Sequence, residues 1–370
     1  MLSYVRPVGE SISIRQGAPI ADYATYDMQL YASGTMALQQ ALSLAKERAH
    51  STQPEVLLPA YACPDLISAC VGAGVNAVLL DLDSPASPFP TIDVIKQHTN
   101  EHTIAVILVN FLGISPEKKL FDAIKELRLL AIEDRAQCFI APEEASQLNG
   151  DYVIFSFGKG KPVSLLGGGA LLVKDHKDSR HSADLRTPEE RNSKLPWLIR
   201  LYNLIILPAF YYLLMKIPAL SIGETHYHAP EAVTLMDSSR RALLQSNIEK
   251  QYRSLSRFAQ KRLYAMCTPL SDIQALGNSE LNPSLLRFPL LCKDRESRDL
   301  ILSKLNRQGI GASKMYQTIL PNIKGTPLSD SQQLKDYPNA QKFADRLLTL
   351  PCHSGVNTAS LRKIANIFRA

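Results

Sequence analysis

Short apolar runs alternate with amphipathic segments through the first half of the chain, and this alternation limits the possible folds more than any other feature. The apolar runs predict strands at residues 56–58, 77–82, 104–109, 130–133, 152–157 and 169–173. The amphipathic segments predict helices at 35–48, 65–71, 92–97 and 116–129, the last with Ser115 as its N-cap. Apolar strands that alternate with helices are typical of a parallel sheet covered on both faces. The sequence therefore predicts an α/β fold with a mostly parallel central sheet flanked by helices.

The second half of the chain follows a different pattern. Residues 175–194 are highly charged, about 195–220 form an apolar helical insertion, and 234–266 resemble one long helix. From residue 285 the pattern becomes α+β, with a strand at 285–291 and helices at 295–308, 340–348 and 358–368. We therefore predict a large domain, 1–240, that carries the main sheet, and a smaller C-terminal α+β domain, 241–370.

Composition excludes several classes of protein. The 370 residues are 45% hydrophobic and 21% charged, which are ordinary values for a globular protein. The net charge of +6 suits a small anionic substrate, and without a dense lysine or arginine run we expect no nucleic-acid partner. The six cysteines are scattered without metal-finger spacing, so we expect reduced thiols, a cytoplasmic location and no metal site.

The apolar segment 197–220 must be shielded from water. Charged, amide and proline residues interrupt it, and its longest apolar run, 204–215, is shorter than the roughly 20 residues that a bilayer span requires. A helix that is apolar around its whole circumference must be covered. We expect burial against the body of the protein or a dimer partner, and peripheral membrane contact is the alternative.

An acid and a lysine follow two consecutive predicted strands. Asp134 ends the strand at 130–133, and Lys161 follows the strand at 152–157 after a glycine-rich turn. This pair is what a pyridoxal phosphate (PLP) enzyme needs: the lysine forms the Schiff base, and the acid keeps the pyridine nitrogen protonated. Spacing alone also allows a solvated acidic turn and a surface lysine, with Lys159 as a rival. Glu133, next to Asp134, points the opposite way if the segment is extended.

A third element precedes them in the chain. The helix predicted at 35–48 begins at the triplet Ser33-Gly34-Thr35. The free N–H groups and partial positive charge at the start of a helix can bind a phosphate. The same triplet is also an ordinary helix N-cap. A phosphate-type turn, an acid at a strand end and a lysine after the next strand follow the chain order of fold-type I PLP enzymes.

With these three elements in that order, the chain resembles the DegT/DnrJ/EryC1/StrS family of sugar aminotransferases. Residues 33–38 resemble the family's S-G-T-x-A-L, 132–137 its I-E-D-A-A-Q, and 156–161 its S-F-(H)-x-x-K. Further matches run through 58–61, 74, 80–83, 287–289, 309–310, 316 and 344–353. The resemblance implies a PLP-transferase fold of type I, and its register selects Lys161 over Lys159.

The resemblance also assigns roles to individual residues. Lys161 would be the catalytic Schiff-base lysine, and Asp134 would pair with the pyridine nitrogen. Gln137 would contact the cofactor face or its phenolic oxygen, and the phosphate would be held by Gly34, Thr35 and Ser156. Four positions depart from the family's usual residues: Cys63 replaces an aromatic ring, Arg135 an alanine, Gly158 a histidine and Gly167 a glutamate.

The implied activity is amination of a keto-sugar, nucleotide-linked, with glutamate as donor, in polysaccharide or glycan biosynthesis, by a cytoplasmic homodimer. One alternative is a PLP-dependent sugar dehydratase of the same family; such enzymes usually lack the Schiff-base lysine, so Lys161 argues against it. The other is a catalytically silent scaffold that binds a sugar nucleotide, which the departures at Cys63, Arg135 and Gly167 leave open.

Overall fold

The computed structural model describes residues 4–49, 51–174, 192–214, 225–254, 257–277 and 285–369. Seven strands form the main sheet in the order β1-β7-β6-β5-β4-β2-β3. They are β1 (Asp27–Tyr31), β2 (Glu55–Pro59), β3 (Asn76–Leu80), β4 (Thr103–Val109), β5 (Leu130–Asp134), β6 (Tyr152–Ser156) and β7 (Gly169–Val173). Every strand predicted for this half is present, to within two residues at each end.

Neighbouring strands from β3 to β6 are parallel, and β7 is antiparallel to both β6 and β1. The predicted mostly parallel sheet is therefore confirmed. β1 was not predicted, because its sequence, DMQLY, has no apolar run. It pairs with β7 from Asp27 opposite Val173 to Tyr31 opposite Gly169, so a partner distant in sequence determines this strand.

Helices α1 (Gly34–Ala49), α2 (Asp65–Ala73), α3 (Ile92–His98) and α4 (Lys118–Glu126) connect the first strands. α1 packs on β6 and β7 through small, fully buried side chains such as Ala37 and Ala41, which let the helix approach the sheet closely. The predicted start of α4 was two residues early. Glu117 precedes the helix in an extended conformation, and the Ser115 hydroxyl donates to Asn110 Oδ1 at 2.5 Å instead of capping the helix.

The next four helices lie beyond the sheet: α5 (Leu195–Ile205), α6 (Pro208–Leu214), α7 (Ser238–Ser254) and α8 (Phe258–Cys267). The single helix predicted at 234–266 was wrong. Its first residues are extended, with the Met236 N–H donating to the carbonyl of Leu30 in β1 at 3.0 Å, and α7 and α8 are separate helices. The predicted charged loop lies largely outside the described residues. Within them, no helix is both long and apolar enough to cross a membrane.

A second sheet of three antiparallel strands, ordered β10-β9-β8, forms the C-terminal part: β8 (Ile273–Ala275), β9 (Phe288–Cys292) and β10 (Leu347–Leu350). Helices α9 (Arg295–Arg307), α10 (Asp330–Leu334), α11 (Pro338–Arg346) and α12 (Thr358–Arg369) accompany it. The helix predicted at 340–348 ends earlier, because its last two leucines start the fully buried β10.

The two predicted domains are linked at the N-terminus of the chain. The backbone of Val5 donates to Gly309 O and accepts from the Gly311 N–H, both at 2.7 Å. The first residues therefore contact the C-terminal part, although the predicted boundary assigns them to the large domain. That boundary stays a prediction.

Candidate active site

Parallel pairing brings the carboxyl ends of β5 and β6 to the same edge of the main sheet. Asp134 is the last residue of β5 and is paired in register with Ile154 of β6, two residues before Ser156. In open α/β sheets, ligands bind beyond this edge. The acid that the sequence singled out therefore lies where such a fold binds its ligand.

The Asp134 carboxyl is buried but only partly hydrogen-bonded. The residue is 7% exposed, and its Oδ1 accepts the Ala136 N–H at 2.8 Å. Among the described residues, the Ala136 N–H supplies the one hydrogen bond that this carboxyl accepts, and Oδ2 is not a fully buried atom left without a partner. Burial raises the pKa of Asp134, while the Ala136 N–H and the positive charge of Lys161 lower it. Its second oxygen is therefore available to a ligand that carries an N–H.

Lys161 lies in the loop that returns from β6 to β7. The loop closes on Phe157, whose N–H donates to Gly168 O and whose carbonyl accepts from the Leu165 N–H, both at 2.8 Å. Lys161 is half-buried, whereas Lys159 is exposed. The positive charge of Lys161 lowers the pKa of both Asp134 and Cys63. Among the described residues, the acid and the lysine predicted from the sequence therefore interact through their charges, without a hydrogen bond or an ion pair between them.

Lys161 also faces a cleft of about 290 Å³ that Lys159 does not line. Asp134 does not line the cleft, whose walls include the N-terminal segment and residues near the C-terminus such as His353 and Ser354. Burial is the largest of the effects that lower the pKa of His353. Lys161 thus acts on the acid at the sheet edge through its charge and also lines an open cleft. This position is expected of a lysine that contacts both a cofactor and a substrate.

The start of α1 meets the end of β6 at van der Waals contact. A Cβ atom on Gly34 would lie 2.7 Å from Ser156 Cβ, and one on Gly169 would lie 2.5 Å from Gly34 N, so neither position has room for a side chain. Ser33 caps the helix, its Oγ accepting from the Met36 N–H at 3.1 Å. The ordinary capping role is thus present. The N–H groups of Gly34 and Thr35 are the first of this 16-residue helix, and they lie beside Ser156.

Gln137 is held inside the protein by two hydrogen bonds. Its Oε1 accepts from the Leu112 N–H at 2.7 Å, and its Nε2 donates to Tyr316 Oη at 2.8 Å. These bonds join the loop after β4 to the C-terminal part of the chain. A direct contact of Gln137 with a cofactor stays a prediction; the contacts in the structure fix the position of Tyr316.

Arg135 turns away from Asp134. Its Nε lies 2.6 Å from Glu133 Oε1, and both residues are at most 3% exposed. The other Glu133 oxygen accepts the N–H groups of Asn149 and Gly150 at 2.8 and 2.9 Å. The charge that departs from the family pattern is therefore neutralised by Glu133, which points away from Asp134 as predicted for an extended segment.

The structure also shows what surrounds Cys63 and Gly167, two further positions that depart from the family's usual residues. Burial raises the pKa of Cys63 to about 12, so beside Lys161 and Asp134 it contributes a neutral thiol. At Gly167, with φ of +152°, a Cβ atom would lie 3.0 Å from Arg240 Nε. Arg240 donates to Leu165 O at 3.2 Å and pairs with Asp237. Arg240 therefore occupies the space beside this glycine.

Sequence reasoning matched Tyr61 and Tyr316 to the family separately and missed that the two rings meet in one aromatic cluster. Tyr61 Oη bonds the backbone of Tyr316 at 3.2 Å, and their ring centroids are 5.4 Å apart. Burial raises the pKa of Tyr316 well above its usual value, and the neighbouring Cys63, Tyr61 and Asp134 add to the effect. These residues come from opposite ends of the chain, so periodicity carried no signal of the cluster.

The model of the DegT/DnrJ/EryC1/StrS aminotransferase family matches residues 23–194 and 242–369. This match covers most of the chain and omits 195–241, which contains α5 and α6. No curated protein shows significant sequence similarity to the chain.

Solved structures show the same fold at low sequence identity. A Streptococcus pneumoniae protein assigned as a sugar aminotransferase, in its PLP form, is 17% identical with a TM-score of 0.68, over 99% of this chain and 97% of that one. NtdA from Bacillus subtilis, with bound pyridoxamine phosphate, is 17% identical with a TM-score of 0.68, over 93% and 73%. DesI, solved with its TDP-sugar product, is 18% identical with a TM-score of 0.64, over 94% and 81%. The predicted fold class is confirmed.

Proposed function

The chain belongs to the DegT/DnrJ/EryC1/StrS aminotransferase family, and on this premise we propose that it is a PLP-dependent enzyme that aminates a keto-sugar. The observation that carries the proposal is a buried carboxyl, Asp134, with a single hydrogen bond, whose pKa is lowered by the charge of Lys161, a lysine that lines an open cleft. The start of α1 at Gly34, which we propose as the phosphate site, lies against Ser156 at the end of β6.

The residues present fit PLP. Gly34 and Thr35 at the start of α1, with Ser156 beside them, offer N–H and hydroxyl groups to a phosphate. Asp134 Oδ2 is free to accept an N–H from a pyridine ring, and Lys161 is placed to bond the cofactor aldehyde. When bound, PLP supplies an electron sink for the carbon that loses its proton.

The protein's own groups supply the rest of the chemistry. A carboxylate at Asp134 keeps a ring nitrogen protonated, because a proton there is stabilised by the adjacent negative charge. Lys161 would take up the proton that the substrate carbon loses on the cleft side, and would return it in the reverse direction. Cys63 stays neutral and therefore does not compete for that proton. These roles together are those of an aminotransferase.

For the substrate, we propose a nucleotide-linked keto-sugar, with glutamate as the amino donor. The cleft at Lys161 also presents Arg257, which can bind a phosphate, and the ring of Tyr252, which can stack on a sugar. The net charge of +6 favours anionic substrates. The TDP-sugar bound by DesI supports the same substrate class. A role in polysaccharide or glycan biosynthesis, a cytoplasmic location and a homodimer belong to this proposal.

The visible absorption spectrum, taken before and after adding glutamate, tests the proposal. We expect a band from lysine-bound PLP that glutamate converts to the pyridoxamine form, and that a keto-sugar nucleotide restores. If the protein binds PLP but glutamate and other amino donors leave the band unchanged, the chain is a silent sugar-nucleotide scaffold. If it binds no PLP even in excess, the enzyme proposal is wrong.

A further inference from the structure

Helices α5 and α6 carry apolar side chains on their outer surface as well as their inner one. Leu195, Ile199, Tyr202 and Ile206 form the buried stripe that packs into the core beside Phe157 and Val163. Most of the large hydrophobic side chains exposed within the described residues lie on the opposite side: Trp197, Leu198, Leu201, Leu204, Leu207, Phe210 and Leu213. We call these seven residues the α5–α6 face. A group of exposed apolar side chains close together in the chain is typical of an interaction site.

The charges beside this face have one sign. Residues 192–214 contain two charged side chains, Lys194 and Arg200, both exposed, and no aspartate or glutamate. The face also holds the chain's single tryptophan, Trp197, which is 63% exposed. Apolar and aromatic residues with a basic flank match the headgroup layer of a membrane, where tryptophan is enriched and anionic lipids attract lysine and arginine.

The face is rigidly joined to the rest of the protein. The Asn203 side chain makes two hydrogen bonds to the backbone of Ile12, both at 2.8 Å, and the rings of Tyr211 and Tyr4 lie 5.5 Å apart. The face also lies in the stretch 195–241 that the family match omits. It is therefore an ordered surface in a stretch that the family match leaves out.

We propose that the α5–α6 face docks on a lipid bilayer surface that contains anionic phospholipids. A second copy of the chain fits less well. A twofold interface brings the same patch of both subunits together, so the cations of one copy would approach those of the other with no acid in 192–214 to pair with them. Docking would leave the cleft near the bilayer, since Gly9 lines the cleft and a Cβ atom there would lie 2.6 Å from Tyr202 Oη. The proposal does not depend on the catalytic chemistry.

Trp197 provides a direct probe because it is the only tryptophan. We expect its emission to shift to shorter wavelength when the full-length, PLP-loaded protein is mixed with vesicles of equimolar phosphatidylcholine and phosphatidylglycerol, and to be quenched if the lipids are brominated. Vesicle flotation should recover the protein with the lipid. Leu201→Gln with Leu204→Gln should abolish both signals. Leu300→Gln, which removes an exposed leucine on α9, should change neither.

Charge variants test the lipid chemistry. Lys194→Gln and Arg200→Gln should each weaken binding to the anionic vesicles by about fivefold at about 0.1 M salt, and wild-type binding should fall as salt shortens the screening length. An absence of any wild-type emission shift or flotation would overturn the proposal. So would a double variant that floats like the wild type. If instead the double variant converts a dimer to a monomer in sedimentation velocity while the wild type ignores vesicles, the face is a contact between copies.

Discussion

Glu133 and Asp134 are adjacent acids at the end of β5, yet their surroundings differ completely. Glu133 is fully buried, and its two oxygens accept from Arg135, Asn149 and Gly150. Asp134 has one hydrogen bond, from Ala136, and a second oxygen without a donor among the described residues. Saturated hydrogen bonding is what a structural carboxylate requires. Glu133 therefore has the bonding of a structural carboxylate, whereas Asp134 keeps an oxygen for the ligand that we propose.

The largest effect should come from removing the charge at Asp134. Asp134→Asn keeps the shape and an acceptor for the Ala136 N–H, but it cannot hold a ring nitrogen protonated. We expect the rate of the glutamate half-reaction to fall by about 10²- to 10⁴-fold, the range that acid–base groups contribute. Stopped-flow absorbance measures this rate. A tenfold or smaller loss would contradict the role assigned to Asp134.

Glu133→Gln should have the opposite profile. It leaves Arg135 buried without a counter-charge, and breaking a buried ion pair in this way costs about 3–5 kcal/mol of the free energy of unfolding. Urea denaturation at pH 7 measures the loss, and the rate per folded molecule should stay near that of the wild type. Adding Arg135→Met should restore much of the stability. A Glu133→Gln variant as stable as the wild type would remove the distinction between the two acids.

A smaller effect should follow from Gln137→Leu, which separates positioning from direct cofactor contact. The substitution leaves the Leu112 N–H and the Tyr316 hydroxyl without their partner, at a cost of about 1–3 kcal/mol for a buried polar group. If Gln137 only positions Tyr316, PLP affinity should fall little when measured on the folded protein by fluorescence titration. A large loss of PLP affinity at unchanged stability would instead support the predicted contact with the cofactor.

The smallest effect concerns stability and pH in the cofactor-free protein. Burial raises the pKa of Asp134 above its ordinary 3.8, so the folded state binds the proton more tightly than the unfolded state does. Below pH 3.8 the carboxyl is protonated in both states and therefore costs no stability. It becomes destabilising as the pH rises through the higher pKa of the folded state. Asp134→Asn should melt at the same or a higher temperature than wild type at pH 7, and the difference should shrink on acidification. A variant that melts lower at pH 7 would show that the carboxylate stabilises the empty site.

The local sequence predicted the parts of this site that are set by local structure. Asp134 and Lys161 could be placed because β5 and β6 are unbroken apolar runs, and parallel pairing brings their ends together. The bond of Gln137 to Tyr316 could not be predicted, because it depends on how distant segments meet. β1 and β10 were missed for the same reason: pairing with β7 and β9 determines them.

The account depends most directly on which lysine carries the cofactor. Borohydride reduction of the PLP-loaded protein, followed by peptide mapping in a mass spectrometer, identifies it. We expect the cofactor on Lys161, with Lys161→Ala unlabelled and Lys159→Ala labelled like the wild type. Labelling of the exposed Lys159, or no specific label with PLP in excess, would contradict the pairing of Lys161 with Asp134 on which the proposed function rests.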